Sequence, residues 1–136
     1  MVRTPKRPLS PGTLVTVMTR EKEFVGRGIY NPVGSLAIRL LTELESERPT
    51  RDFFLARLRS AKDLREDVLK IHEKSDSYRL VHAESDGLSG LIIDKYADVF
   101  VIEPYSAGYV RLMDWLAESL RHLYPGARVA VRPAAK

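Results

Sequence analysis

Two aspartates and a histidine, Asp86, Asp94 and His82, are the residues whose types first suggest catalysis. Paired carboxylates perform general acid–base chemistry, and a histidine near a serine such as Ser85 can activate it as a nucleophile. Their surroundings favour structural roles. Aspartates beside Gly87 and at a strand end are typical turn formers, and nothing around Ser85 resembles a nucleophile elbow. A small enzyme using Asp86 or His82 is therefore the least favoured hypothesis.

Metal and cofactor chemistry is also disfavoured by the residue types. The chain has no cysteine, which excludes disulfides, thiolate metal sites and a cysteine nucleophile together. The histidines, His72, His82 and His122, are too widely spaced for the paired ligands of a helical zinc site. Gly26 and Gly28 lack the third glycine and the following helix of a dinucleotide loop. We expect no cofactor or metal in this chain.

Arg27 and Arg39 are stronger candidates, for binding rather than catalysis. Each lies in a predicted strand between apolar neighbours, and we expect both to project to a solvated face beside Tyr30. Arginine there would meet phosphate, and the aromatic ring would stack on a base. Lys6 and Arg7 would add non-specific phosphate contacts. The competing interpretation is that both arginines simply cover the strand surface.

Positive charge is concentrated near the N-terminus. The net charge of the 136 residues is +4, and residues 1–39 hold seven Lys/Arg against two acids. This excess predicts an anionic partner such as nucleic acid, although a solubilising tail would show it too. No apolar run approaches the ~20 residues that span a bilayer, and no signal peptide is recognisable. We therefore expect a cytoplasmic protein without a membrane partner.

The apolar periodicity predicts an α+β fold. The expected order is three strands, a helix, three strands, a helix and a strand. The first three strands form an antiparallel meander that is part of a small β-barrel. A small α+β domain with antiparallel strands and two helices follows. The predicted strands are 13–18, 24–30, 35–41, 78–83, 91–95, 99–103 and 128–132, and the predicted helices are 51–74 and 109–124.

Several segments resemble a known family. Residues 24–32 (FVGRGIYNP) and the following Ile-Arg-Leu strand resemble the middle of a PUA domain. The segments 77–81 (SYRLV), 84–91 (ESDGLSGL) and 93–96 (IDKY) are similar to the bridging domain of large-subunit ribosomal-RNA methyltransferases. These enzymes use S-adenosylmethionine to methylate cytosine at carbon 5. The resemblance runs from about residue 12 to residue 132, and its Glu-Ser-Asp-Gly-Leu stretch is the most specific part.

The resemblance implies three parts in the chain. Residues 1–42 would be a partial PUA-like RNA-binding domain whose opening segment is missing. Residues 43–74 would be a linker and connecting helix, and 75–136 an α+β bridging domain truncated at its C-terminus. In that family the cofactor loop and catalytic cysteine belong to a Rossmann-like domain that comes last. The chain alone should therefore be inactive, with S-adenosylmethionine implied only for the full-length family.

The implied function is RNA recognition and domain bridging for a ribosomal-RNA methyltransferase. Ribosomal RNA would be the partner, and the residue types assign its contacts to Arg27, Tyr30, Arg39, Lys6 and Arg7. The alternative is a non-catalytic assembly module. Its incomplete barrel would pair an exposed strand edge with a second copy, forming a homodimer.

Overall fold

The N-terminal part of the chain forms a three-stranded antiparallel sheet. This computed structural model describes residue 3 and residues 6–133. The strands are β1 (Leu14–Met18), β2 (Phe24–Tyr30) and β3 (Ile38–Thr42), with β2 in the centre. β-Branched and apolar side chains favour these strands. Bulges interrupt both pairings, between Val17 and Met18 and between Arg27 and Gly28, and such bulges bend a strand and redirect its side chains.

A four-stranded sheet and two helices form the rest of the fold. The helices are α1 (Arg51–Asp63) and α2 (Met113–Leu123), and the strands are β4 (Ser77–His82), β5 (Leu91–Tyr96), β6 (Val99–Pro104) and β7 (Arg128–Val131). The strand order is β4-β5-β6-β7. The predicted α+β class, with two helices, is therefore confirmed. The prediction of antiparallel strands is wrong for β7, which runs parallel to β6 because α2 carries the chain back across the sheet.

The first helix is shorter than the predicted 51–74. It ends at Asp63, and Leu64–Val68 form one wide π-helical turn. Lys70 then adopts a left-handed backbone conformation (φ 51°) before a short 3₁₀ turn, Ile71–Glu73. A π turn adds a residue per turn and so breaks the 3.6-residue period on which the prediction rested.

The π turn also changes which side chains face the core. Apolar side chains of the regular helix, such as Phe54 and Leu58, are fully buried, whereas Val68 of the π turn is 70% exposed. Arg65 turns inward instead, and only 8% of it is exposed. The π turn thus buries a charged side chain where a continued regular helix would bury an apolar one.

The second helix begins later than the predicted 109–124. Residues Ala107–Leu112 form a 3₁₀ turn, started by Ser106, whose side chain accepts a hydrogen bond from the Gly108 N–H at 3.2 Å. This tighter turn buries Tyr109 completely and leaves Val110 70% exposed. No helix in the described part of the chain is long and apolar enough to cross a bilayer.

One hydrophobic core joins the two sheets. Ile29 of β2 and Leu41 of β3 belong to the same buried cluster as the helices and the second sheet. The closest approach is at Gly108, where a Cβ atom would overlap Ile29 and lie 3.2 Å from the Tyr30 carbonyl oxygen. The first sheet therefore packs directly on the turn that precedes α2, and glycine permits this packing.

Gly108→Ala should lower the free energy of unfolding by about 1–3 kcal/mol, because the added methyl group has no space between the two units. Urea denaturation measures this loss. The neighbouring exposed substitution Ala107→Ser is the control and should change stability by no more than about 0.5 kcal/mol. Equal stability of the two variants would contradict the close packing at Gly108.

Candidate nucleic-acid interface

The basic N-terminal segment leads directly into the first sheet. Lys6 and Arg7 are exposed, and neither forms an ion pair with another residue that the structure describes. The segment is anchored where the Gly12 N–H donates to the Tyr30 carbonyl oxygen at 2.9 Å. The Tyr30 N–H in turn donates to the Thr13 carbonyl oxygen at 2.9 Å. The backbone of half-buried Tyr30 thus anchors the chain at Gly12 and Thr13, just after the two exposed cations.

Arg27 does not project to a solvated face, and that expectation is wrong. Its Nη1 donates to the carbonyl oxygens of Glu45 and Glu47, each at 2.6 Å. Its guanidinium carbon lies 4.9 Å from the centre of the Phe24 ring, and its Nε is buried without a hydrogen-bond partner among the described atoms. The β-bulge after Arg27 and the return of residues 43–49 over the sheet bring these groups together. The glycines on either side of Arg27 are compatible with a bulge, but the return of residues 43–49 is not visible in the local sequence.

Residues 43–49 are held in place by hydrogen bonds to both neighbouring units. The Glu47 carboxylate accepts a hydrogen bond from the Thr42 hydroxyl and another from Arg57 Nη2, the latter at 3.0 Å. Arg57 also lies 4.8 Å over the Phe53 ring of α1. Together with the Arg27 contacts, these bonds form a clamp of Arg27, Glu47 and Arg57. The clamp ties β2, the connection and α1 together.

Arg39 is also mostly buried, so its expected solvated position is wrong too. Its side chain is 19% exposed, passes over Gly90 and lies 3.9 Å from the Glu84 carboxylate. Hydrogen bonds from the Glu84 backbone amide, the Ser89 hydroxyl and the Gly90 amide lower the pKa of Glu84, and the charge of Arg39 contributes. The guanidinium groups of Arg27 and Arg39 are thus committed to two different contacts within the fold.

The carboxylates first considered for catalysis each face their own arginine. Asp86 forms a bidentate pair with Arg65, with Nη2 to Oδ2 at 2.8 Å, and also accepts from the His82 backbone N–H at 2.6 Å. Asp94 pairs across the sheet with Arg79 at 2.9 Å. The side chain of His82 makes no hydrogen bond within the described residues, and His82 is exposed. These contacts support structural roles for Asp86 and Asp94.

A cluster around Glu66 was missed by the sequence analysis. Glu66 Oε1 accepts hydrogen bonds from the hydroxyls of Tyr78 and Tyr124 at 2.9 and 2.7 Å, and Lys62 Nζ lies 2.7 Å from Oε2. Burial alone would raise the pKa of Glu66, but the bonds from Lys62 and the two tyrosines outweigh it and lower the pKa. Burial raises the pKa of Tyr78 to about 12. Every polar group of the cluster is satisfied, which is typical of a structural network.

Two shallow grooves flank the Glu47–Arg57 pair, with volumes of about 300 and 420 Å³. Charged, polar and apolar side chains line both grooves, and the carboxylates of Glu43, Glu84 and Asp52 are among them. Neither groove, as formed by the described residues, contains the glycine-rich turn between a parallel strand and a helix that is typical of Rossmann-type nucleotide sites.

Comparison with curated proteins points to ribosomal-RNA methyltransferases. Residues 1–43 match a family described as a PUA-like domain. The chain is 40% identical over 123 residues to ribosomal RNA large subunit methyltransferase I of Photobacterium profundum, covering 90% of this chain and 31% of that protein. It is 37% identical over 121 residues to the Aliivibrio fischeri protein of that name, covering 89% of this chain and 30% of that protein. The chain thus spans about 30% of the length of these relatives.

Solved structures show the same fold within longer chains. A protein from Streptococcus mutans assigned as a SAM-dependent methyltransferase superposes with a TM-score of 0.74 at 20% identity, covering 93% of this chain and 34% of that one. A structure assigned as a methyltransferase complexed with SAH superposes with a TM-score of 0.75 at 21% identity, covering 94% and 34%. The arrangement of the two sheets described above therefore recurs as a part of larger proteins.

Arg65→Met should lower the free energy of unfolding by about 3–5 kcal/mol, because it leaves the Asp86 carboxylate buried without its cation. Adding Asp86→Leu should recover much of that loss, since no charge then remains buried. The control is Arg79→Met, which breaks a more exposed pair and should cost at most about 1 kcal/mol. Urea denaturation would contradict this assignment if Arg65→Met were no less stable than Arg79→Met.

Proposed function

We propose that this chain is the RNA-recognition and domain-bridging region of a ribosomal-RNA methyltransferase that acts in the cytoplasm. The observation that carries the proposal is the 36–40% identity, over about 90% of the chain, to proteins named ribosomal RNA large subunit methyltransferase I. The PUA-like unit contacts the RNA. Methyl transfer from S-adenosylmethionine, to carbon 5 of a cytosine, is assigned to the part of the relatives outside the aligned region.

The bridging role is supported by the contacts between the two units. The Arg27–Glu47–Arg57 clamp and the packing of Ile29 on Gly108 hold the first sheet in one orientation on the α+β unit. An RNA bound to the first sheet is therefore held at a defined position relative to the α+β unit and to a catalytic domain joined to that unit. Such fixed positioning is what a reaction at one nucleotide of a large RNA requires.

The RNA contacts are assigned by exposure and charge. Lys6 and Arg7 are exposed and unpaired within the described part of the chain, so they are the phosphate contacts. Tyr30 is half-buried and supplies an aromatic edge at the end of β2. Arg27 and Arg39 contribute as positioning residues that shape this surface and add to its positive potential. All five residues therefore belong to the proposed interface: Lys6, Arg7 and Tyr30 contact the RNA, and Arg27 and Arg39 shape the surface.

The chain should bind a short fluorescein-labelled RNA hairpin with an affinity that falls as salt rises. The double variant Lys6→Ala/Arg7→Ala should reduce the log–log salt slope by about 1.5, because two phosphate contacts are lost. Fluorescence anisotropy across a salt series measures both quantities. Circular dichroism should be unchanged, since both residues are exposed.

The matched control is Arg59→Ala/Lys74→Ala, which removes two exposed cations outside the N-terminal segment. It should leave the slope within experimental error of the unsubstituted chain. An equal loss in both double variants would show a non-specific response to net charge and contradict the assigned surface. A salt slope near zero in the unsubstituted chain would contradict RNA recognition itself.

The second candidate function is assembly of a homodimer through a strand edge. The observation that favours it is that β1 and β3 each pair on one side only, with β2. Unpaired edges are templates for strand addition. Under this hypothesis sedimentation equilibrium should show a dimer at micromolar concentrations and RNA affinity no greater than that of a charge-matched control protein. A monomer at every concentration would exclude it.

A further inference from the structure

Arg111 is an exposed cation of the second unit that lies against the N-terminal segment. It belongs to the 3₁₀ turn Ala107–Leu112, just before α2. A Cβ atom on Gly12 would lie 3.0 Å from Arg111 Cδ and 3.1 Å from its Cγ, so the side chain passes directly over Gly12. Arg111 forms no ion pair with any residue that the structure describes, whereas Arg51 on the neighbouring helix is paired with Glu118 at 2.9 Å.

The backbone holds Arg111 in this position. Gly12 donates to the Tyr30 carbonyl oxygen, and the same oxygen lies 3.2 Å from the Cβ position of Gly108. Gly12 has a φ of 84°, a left-handed conformation that favours glycine, and a side chain there would also meet the Gly108 carbonyl oxygen. Two glycines thus let the N-terminal segment, the end of β2 and the Arg111 turn come together.

We propose that Arg111 is a phosphate-binding residue that continues the basic N-terminal segment onto the α+β unit, so that one RNA strand contacts both units. The inference rests on the proposed RNA-binding function and extends it. Gly12 is six positions after Lys6, so Lys6 lies within about 20 Å of Gly12. That distance corresponds to about six phosphates along one strand. Lys6, Arg7 and Arg111 therefore lie within reach of one short stretch of RNA backbone.

The local charges determine how much Arg111 contributes. Asp114 is exposed and follows Arg111 by three residues, one helical turn away, so its carboxylate weakens the local positive potential. Arg111 is exposed and has no ion-pair partner among the described residues, so its guanidinium donors are available to phosphate oxygens. Asp114→Asn should for this reason raise the affinity for RNA, the opposite direction to the loss of Arg111.

The test compares Arg111→Met, Arg111→Lys and the unsubstituted chain by anisotropy with the same RNA hairpin across a salt series. Methionine keeps the apolar stem that covers Gly12 and removes only the charge. We expect Arg111→Met to bind about two- to fivefold more weakly and to lower the log–log salt slope by about 0.7–0.9, as one lost phosphate contact would. Arg111→Lys should retain most of the affinity. The control Arg121→Met removes an exposed cation near the end of α2 and should change neither quantity.

The outcomes separate this inference from the function on which it rests. Unchanged binding by Arg111→Met, with a reduced slope in Lys6→Ala/Arg7→Ala, would overturn the role of Arg111 and leave the proposed function intact. Equal losses in Arg111→Met and Arg121→Met would also overturn it, because the effect would be one of net charge. Absence of RNA binding by the unsubstituted chain, or binding to phosphatidylserine vesicles alone, would overturn both proposals.

Discussion

The buried ion pair between Arg65 and Asp86 is the contact on which the second unit depends. Both side chains are at most 10% exposed, and the pair joins the π-helical turn after α1 to the turn between β4 and β5. Arg65 Nε also donates to the Arg79 carbonyl oxygen of β4 at 3.2 Å. A buried charge is tolerated only when its partners satisfy it, so the helix must end where Arg65 can turn inward. The π turn that shortens α1 is therefore a consequence of this pair.

The same turn organises the other side of the α+β unit. It directs Glu66, the next residue, to the two tyrosine hydroxyls and Lys62, which connect α1 with β4 and the end of α2. Arg65 and Glu66 thus bind different elements of the α+β unit. With α1 fixed at this end, the Arg27–Glu47–Arg57 clamp fixes its other end to the first sheet. The first sheet is accordingly held in one orientation on the α+β unit.

The predicted strand bounds agree well with the structure, whereas the predicted exposure of Arg27 and Arg39 does not. β2 occupies the predicted residues 24–30 because short apolar runs bounded by turn residues specify strands locally. The third strand was predicted at 35–41 and is Ile38–Thr42, since residues 31–37 form a turn closed by the Asn31 side chain and backbone. Arg27 and Arg39 were singled out correctly as unusual cations within strands. The carbonyl oxygens that bind Arg27 belong to Glu45 and Glu47, and the carboxylate 3.9 Å from Arg39 belongs to Glu84. No local pattern shows that these segments return to the two arginines.

The sequence by itself determined the α+β class, the concentration of positive charge near the N-terminus and the resemblance to ribosomal-RNA methyltransferases, because composition, periodicity and motif identity are local properties of the chain. Only the tertiary structure decided which charges are free to meet a partner. A guanidinium that accepts no further partner is one whose donors already face carbonyl or carboxylate oxygens from distant segments. Without such oxygens, its donors are available to a ligand. For this reason Arg27 and Arg65 bind groups within the fold. Arg111, which no sequence pattern distinguished, is exposed and lies over Gly12 of the N-terminal segment.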